Sequence, residues 1–388
     1  MILMYSNSEM TTVLVVGAGL SGATVARQLA EQGYTVRVVD QRDHIGGNCY
    51  DFVNEQGIRV NQYGAHLFHT SSERVWAYVQ RFSEWTPWKH QVIADVQGIL
   101  VPVPVNQETV RRLCDPTVTT EPLMKEWLAK QTAPYAPYST TPQNSEEVAL
   151  SRVGLTLYRH LFQSYTMKQW AKYPSELDPS VLERIPVRTD DNPYYFSDPY
   201  QALPTNGYTA FFHALLDHPK ITVQLNTPYT EDMRKEDFLF YTGPIDLYYR
   251  SRNYPPLEYR SIRFETEHLP IDQYQENSVV NHPIASVPYT RIVEYKHFLN
   301  QVAPGRTTIV KEYTTADGDP YYPVPTKANQ ERYQQYQEWA KEDEAQGVYF
   351  VGRLAHYKYY NMDAAIEAAL NMTDAFLARV TQPTESAL

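Results

Sequence analysis

The sequence predicts an α/β chain in which a Rossmann-like domain is assembled from both ends and interrupted by a helical domain and an antiparallel β-sheet domain. Three observations predict it. Residues 12–40 read as strand, glycine turn, helix and strand. Near the other end, the apolar run Val348–Val351 is followed by Gly352 and a further helical stretch. Between these ends, a helical periodicity gives way to Tyr-, Pro- and Arg-rich stretches with short alternating runs.

The elements follow in order. Thr12–Val16 is short, apolar and β-branched, the signature of a buried strand. Gly17–Gly22 is a turn, and Ala23–Gln32 is a helix stopped by Gly33. Thr35–Val39 is a Val-rich strand ending at Asp40. Glu121–Lys130 reads as a helix and Gln131–Asn144 as a loop of Pro, Tyr, Ser and Thr. Asn144 with Glu147 has the spacing of a capping box. Leu150, Val153, Leu157 and Leu161 then recur at helical spacing and carry the chain to Tyr165. Leu257–Thr266 and Thr307–Tyr313 suit strands of a sheet, and Lys327–Ala345 and Asp363–Leu377 read as helices.

Composition narrows the class. With 388 residues, 43% hydrophobic and 20% charged, the chain suits two or three packed units of a globular protein. No apolar run approaches the roughly 20 residues of a membrane span. Met1 to Met10 lacks a basic n-region, so it reads as a disordered extension rather than a signal peptide. Two cysteines, Cys49 and Cys114, make no disulfide framework and fit a reducing, cytoplasmic setting. A net charge of −11 argues against a nucleic-acid partner but leaves room for a local basic pocket. The 32 tyrosines offer flat apolar faces with hydroxyls, useful against sugars and diphosphates, although most must serve as half-buried packing.

Gly17-Ala-Gly19-Leu-Ser-Gly22 lies between a strand and a helix. In such a turn the first glycine makes the bend, the second admits a pyrophosphate and the third lets helix and strand pack closely. The helix start supplies free N–H groups. Asp40, ending the next strand, can accept hydrogen bonds from ribose hydroxyls and disfavours a 2′-phosphate. A dinucleotide is therefore expected. Arg42, then Gly46-Gly47-Asn48, form a second glycine turn soon after the acid, as in FAD proteins, although that spacing fits a surface turn equally well. NAD and FAD both remain open, and Gly352-Arg353 after a late strand adds weight to FAD, whose large folds close their site with such a late segment.

Other clusters carry candidate chemistry. Gly64-Ala-His66-Leu-Phe-His69-Thr70 places two histidines three apart, but no cysteine or acidic cluster completes a metal site. Their functional reading is beside the flavin. Tyr165-Thr166-Met-Lys168-Gln169-Trp170 ends a helix; by composition alone, core packing is the better reading. Arg184, Arg188, Tyr194 and Tyr195 lie in a stretch punctuated by Pro179, Pro186 and Pro193, which suits a lid. Spacing does not establish that these segments meet one another.

Taken together, GAHLFHT, YTMKQW, SELDPSVLERIPVR, NGYT, YTGPID, VPYTRIVEYKHF, DPYYPV and GRLAHYKYYNMD resemble, in this order, the UDP-galactopyranose mutases. The resemblance implies FAD, active when reduced, and a UDP-sugar substrate. It implies interconversion of UDP-galactopyranose and UDP-galactofuranose without net redox change, by attack of reduced flavin N5 on the anomeric carbon. It implies that Arg184 and Arg291 grip the diphosphate with Tyr195, Tyr321 and Tyr359. Phe162 and Tyr165 would flank the uracil, with Thr166 and Trp170 completing that pocket, and Asn281 would line the substrate site. His66 and His69 would border the flavin, and Met362 would join the cofactor contacts. The expected layout is an FAD-binding domain from 10–85, 204–245 and 330–388, a helical domain from 86–183, and a substrate sheet from 184–203 and 246–329. A homo-oligomer, a dimer, is expected.

Two departures from the family pattern bear on the substrate. Gln163-Ser164 stands where many relatives have Lys-Gly, and Asn361 where many have aspartate. They leave an N-acetylated or deoxy hexose open. An FAD oxidoreductase of the amine-oxidase type, or a non-catalytic dinucleotide-binding protein, would share the glycine turn without needing the arginine pair.

Overall fold

The computed structural model describes residues 11–381. The expected extension at Met1 to Met10 lies outside the described residues.

A five-stranded, all-parallel sheet has the order Ile221–Gln224, Thr35–Val39, Thr12–Val16, Phe238–Tyr241, Val348–Phe350. Its central strand carries Val13, Leu14 and Val15 with no exposed surface, as expected of a parallel strand covered on both faces. The helices Leu20–Glu31 and Met362–Thr381 cover one face through Val25, Leu29, Ile366, Leu370 and Phe376. Lys327–Glu344 covers the other through Tyr336 and Trp339. Both ends of the chain thus build one sheet. The first helix begins at Leu20, inside the glycine turn rather than after it.

A second sheet has seven strands in the order Tyr322–Pro323, Tyr259–Leu269, Thr307–Thr315, Arg291–Glu294, Val279–Asn281, Val92–Val96, Ile99–Val103. It is antiparallel except where Val279–Asn281 runs parallel to Val92–Val96. That hairpin differs from the sequence expectation, which placed residues 86–183 with the helices. It turns at Gln97 and Gly98, both at positive φ, and extends the sheet. Ala94, Val96 and Val101 nevertheless pack into the helical core with Val110, Met124 and Val153. The hairpin therefore belongs to both units and joins them.

The helical unit holds the helices Gln107–Leu113, Glu121–Thr132 and Ser145–Leu157. Half of the expected capping box forms. The Asn144 side chain accepts from the Glu147 N–H at 3.0 Å, but the Glu147 carboxylate accepts from the Gln143 N–H. The helix then widens into a π turn over Tyr158–Gln163 before resuming as Ser164–Trp170.

Candidate active site

A cavity of about 980 Å³ lies where these units meet, within the usual size of a ligand pocket. Every residue singled out above as catalytic or substrate-binding lines it. Asn48, Arg353 and Met362 line it from the cofactor set, whereas Gly17, Gly19, Gly22, Asp40, Arg42, Gly47 and Gly352 lie beyond its wall.

Those seven build a cradle at the carboxyl ends of the parallel strands, where open α/β sheets take their ligands. Gly17 has φ +106° and leaves no room for a Cβ beside Thr242. A Cβ at Gly22 would collide with the Gly17 carbonyl, so only glycine lets the helix start this close to the strand. Gly19 and Gly47 lie backbone to backbone, since a Cβ on Gly47 would sit 3.0 Å from Gly19 Cα. Gly352 closes the same corner against Ser21. The helix Leu20–Glu31 has no side-chain cap and no acid in its first turn, so its amides remain available to an anion. Asp40 already accepts from the Ala18 N–H at 2.8 Å and the Arg42 N–H at 2.9 Å. It thereby shapes the turn, and each oxygen keeps a lone pair for a ribose hydroxyl. Arg42 donates to Asn48 Oδ1 at 2.9 Å and pairs with Asp319 at 3.1 Å. These residues fit a dinucleotide. Gly19→Val is expected to fold yet purify without flavin, because its methyls would enter the pyrophosphate path beside Gly47. Absorbance of the purified variant checks this, and full flavin occupancy would refute the cradle.

The sheet supplies a row of side chains by register. Asn281 pairs with Arg291, and Arg291 pairs with Glu312 on the next strand, so all three face the cavity. The cross-strand neighbours Arg291 and Glu312 form an ion pair at 2.6 Å, Nε to Oε2. Burial works against the Arg291 charge, but the Glu312 carboxylate outweighs it and holds the guanidinium well above its ordinary pKa. Glu312 is 2% exposed, and its buried Oε1, beside Gly64, has no hydrogen-bond partner among the described residues.

Across from this row, Arg184 follows the short helix Ser180–Glu183 and lies 4.2 Å over the ring of Tyr359. Arg353 lies 5.1 Å from the same ring and donates to the carbonyls of Tyr321 and Tyr360. Tyr195 feels both Arg184 and Arg291, although burial dominates and raises its pKa. Burial likewise raises Tyr165, against the pull of Arg291. Both hydroxyls are therefore neutral donors at neutral pH. The basic pocket that a net charge of −11 left open is here.

The π turn brings Phe162 to the cavity wall, and Tyr165 follows one turn on. Thr166 is 2% and Trp170 3% exposed, and the Trp170 ring centroid lies 6.0 Å from that of Tyr322 and 6.1 Å from that of Tyr359. The packing reading of YTMKQW holds for Trp170, yet the same residues wall the cavity. Lys168 braces the backbone, its ammonium donating to the carbonyls of His282, Ile284, Val287 and Tyr289 and so fixing the segment that follows Asn281. Arg188 similarly ties down the carbonyls of Asn192 and Tyr194. Asn361 is exposed at the start of the helix Met362–Thr381, where its carbonyl accepts from the Ala365 N–H.

His69 pairs with Asp198 at 2.7 Å through Nδ1 and stacks on Phe196 at 3.6 Å, which fixes its ring. His66 Nδ1 lies 2.8 Å from the Gly64 carbonyl. No metal cluster of three His, Cys, Asp or Glu occurs among the described residues. Burial lowers the His66 pKa to about 4 and that of the cavity-lining His90 to about 3, with Arg291 pushing both the same way. Both are neutral in the folded protein at pH 7. An unfolded histidine takes up its proton near pH 6.5, so the unfolded state binds more protons as pH falls through that value. Stability of the flavin-free protein is expected to decline from about pH 6.5 down to about pH 4. His90→Asn should flatten that decline, and thermal midpoints across this range measure it. An unchanged slope would remove His90 from the account.

Sequence reasoning missed Glu312, Tyr322, His90, Phe196 and Asp198 as cavity-lining residues. Glu312 could be found only from strand register, and Asp198 only from the pairing of Phe68–Thr70 with Tyr200–Pro204.

A glycine-lined dinucleotide cradle on a parallel sheet, beside a cavity walled by the other units, defines a flavoenzyme of Rossmann fold. The family model for UDP-galactopyranose mutase matches residues 160–359, and that for an NAD(P)-binding Rossmann-like domain matches 15–82. The chain is 38% identical to a probable UDP-galactopyranose mutase of Klebsiella pneumoniae over 96% of both chains. It is 35% identical to a dTDP-fucopyranose mutase of Escherichia coli over 95% of this chain and 99% of that one. The fold matches a crystal structure of reduced UDP-galactopyranose mutase with a TM-score of 0.78 at 17% identity, covering 96% of this chain and 97% of that one. The chain belongs to the UDP-galactopyranose mutase family. No helix among the described residues is long and apolar enough to cross a membrane.

Proposed function

We propose that the protein binds FAD in the glycine cradle and interconverts the pyranose and furanose forms of UDP-galactose. The observation that carries this is that Arg184, Arg291 and Tyr195 line one cavity together with Asn48, Arg353 and Met362 of the cofactor set. Reduced flavin supplies a nucleophilic nitrogen at the anomeric carbon. The remaining work falls to the chain. As the anomeric C–O bond breaks, negative charge grows on the diphosphate. Arg291, already oriented by Glu312, and Arg184, above Tyr359, meet that charge without reorganising. The guanidinium fork suits a phosphate better than an ammonium. The neutral hydroxyls of Tyr165 and Tyr195 donate to the same diphosphate or its base. Incubating UDP-galactofuranose with the reduced protein and separating the products by chromatography tests the reading; recovery of unchanged substrate would overturn it.

A related hexose is the second reading, favoured by neutral Asn361 and by the dTDP-fucopyranose mutase among the relatives. An amide keeps the shape of a carboxylate but adds a donor and loses the charge. Asn361→Asp is expected to shift the ratio of kcat/KM between UDP-galactose and its N-acetyl analogue while retaining turnover. Identical ratios in parent and variant would show that this position is neutral.

A further inference from the structure

Arg184 sits at the C-terminal end of the helix Ser180–Glu183. The last carbonyls of a helix find no partner within it, and a nearby cation satisfies them well. Arg152, on Ser145–Leu157, does so here. Its Nη1 donates to the carbonyl of Leu182 at 3.2 Å and to that of Glu183 at 3.0 Å. It thus holds the two peptide units directly before Arg184. Leu182 is buried in the helical core, with Val181, Ile185 and Val187 packed against that core. Beyond Arg184 the chain is tied again, the Arg188 N–H donating to the Val105 carbonyl at 2.9 Å. Arg184 therefore rides on a short span with an apolar anchor on one side and the cavity on the other. Arg152 itself is absent from the cavity wall.

We propose that Arg152 is a positioning residue for the reaction, clamping the backbone before Arg184 so that its guanidinium is held over Tyr359 and ready for the diphosphate. This rests on the function proposed above. Without the clamp, the Glu183 carbonyl loses its donor, the Leu182 carbonyl keeps only backbone N–H donors such as that of Ile185, and the turn before Arg184 loosens. Misplacement of a positioning group by about 1 Å can cost up to ~10²-fold in rate, so a partial loosening is set at ~10-fold.

Two readouts test it. Limited trypsin digestion with mass spectrometry follows cleavage after Arg184 in the free protein. Arg152→Leu should speed that cut ~10-fold, with cleavage at an unrelated site such as Arg252 unchanged, and Arg152→Lys should fall between. Steady-state kinetics then compare Arg152→Leu in the parent and in Arg184→Ala. The expected result is a ~10-fold fall in kcat/KM when Arg184 is present and no further fall when it is gone. An unchanged nicking rate, or an equal loss in both backgrounds, would overturn the proposal. Uniformly faster cleavage would do the same, by showing general destabilisation. If Arg152→Leu does not fold, the Lys variant decides by the same two measures. A parent protein that converts no nucleotide sugar would sink the function reading, while the nicking rate would still decide whether the clamp exists.

Discussion

With its flavin oxidised, the protein should leave UDP-galactofuranose untouched; reduced once, it should turn the substrate over many times with no further electrons. Substrate and product are isomers at one oxidation level, so the reaction neither supplies nor consumes electrons. They are needed only to place the cofactor in its nucleophilic state. Anaerobic incubation after a single dithionite reduction, with product counted against electrons added, makes the measurement. An oxidoreductase would give product one-to-one with electrons and change the sugar's oxidation state. A binding protein would give none in either state. Equal activity in the oxidised and reduced protein would overturn the mutase reading, whatever the arginines do.

Much of the parallel sheet was legible because its signals are local. Thr12–Val16 is covered on both faces and reads as a continuous apolar run, Thr35–Val39 is Val-rich around its one partly buried arginine, Arg37, and the glycines between them answer to steric needs within a few residues. The hairpin at 92–103 was not legible. Its turn is Gln97-Gly98, a weaker signal than Asn-Gly or Asp-Gly, and its strands bury residues against helices as well as extending the sheet. The cavity was legible through resemblance alone. From composition, Trp170 and Tyr165 were packing residues, and nothing local singled out Arg291. What makes them a site is long-range: a π turn that rotates one helix, and a register that sets Asn281, Arg291 and Glu312 abreast on three strands. A periodicity of two predicts that a strand has two faces, but not which residue on the next strand stands opposite. Glu312 was missed for that reason.

That row leads to the other large effect. Arg291→Ala and Arg184→Ala should each lower kcat by ~10²–10³, the usual loss when one preorganised donor to developing charge is removed. The two should differ in stability. Arg291 is the ion-pair partner of Glu312, which is 2% exposed and already carries one unpaired oxygen. Deleting Arg291 leaves that buried carboxylate without its counter-ion, and breaking a buried pair from one side typically costs ~3–5 kcal/mol. Arg291→Ala should therefore also lower the thermal midpoint. Arg184 lies over the face of Tyr359 with no carboxylate partner among its described contacts, so its removal should leave the midpoint near that of the parent. Arg291→Lys separates charge from geometry. It keeps a cation beside Glu312, and so most of the stability, but gives up the planar fork that grips a phosphate with two bonds. The lysine variant should thus melt like the parent and turn over like the alanine variant. Near-normal kcat in both alanine variants would mean that the diphosphate is held elsewhere.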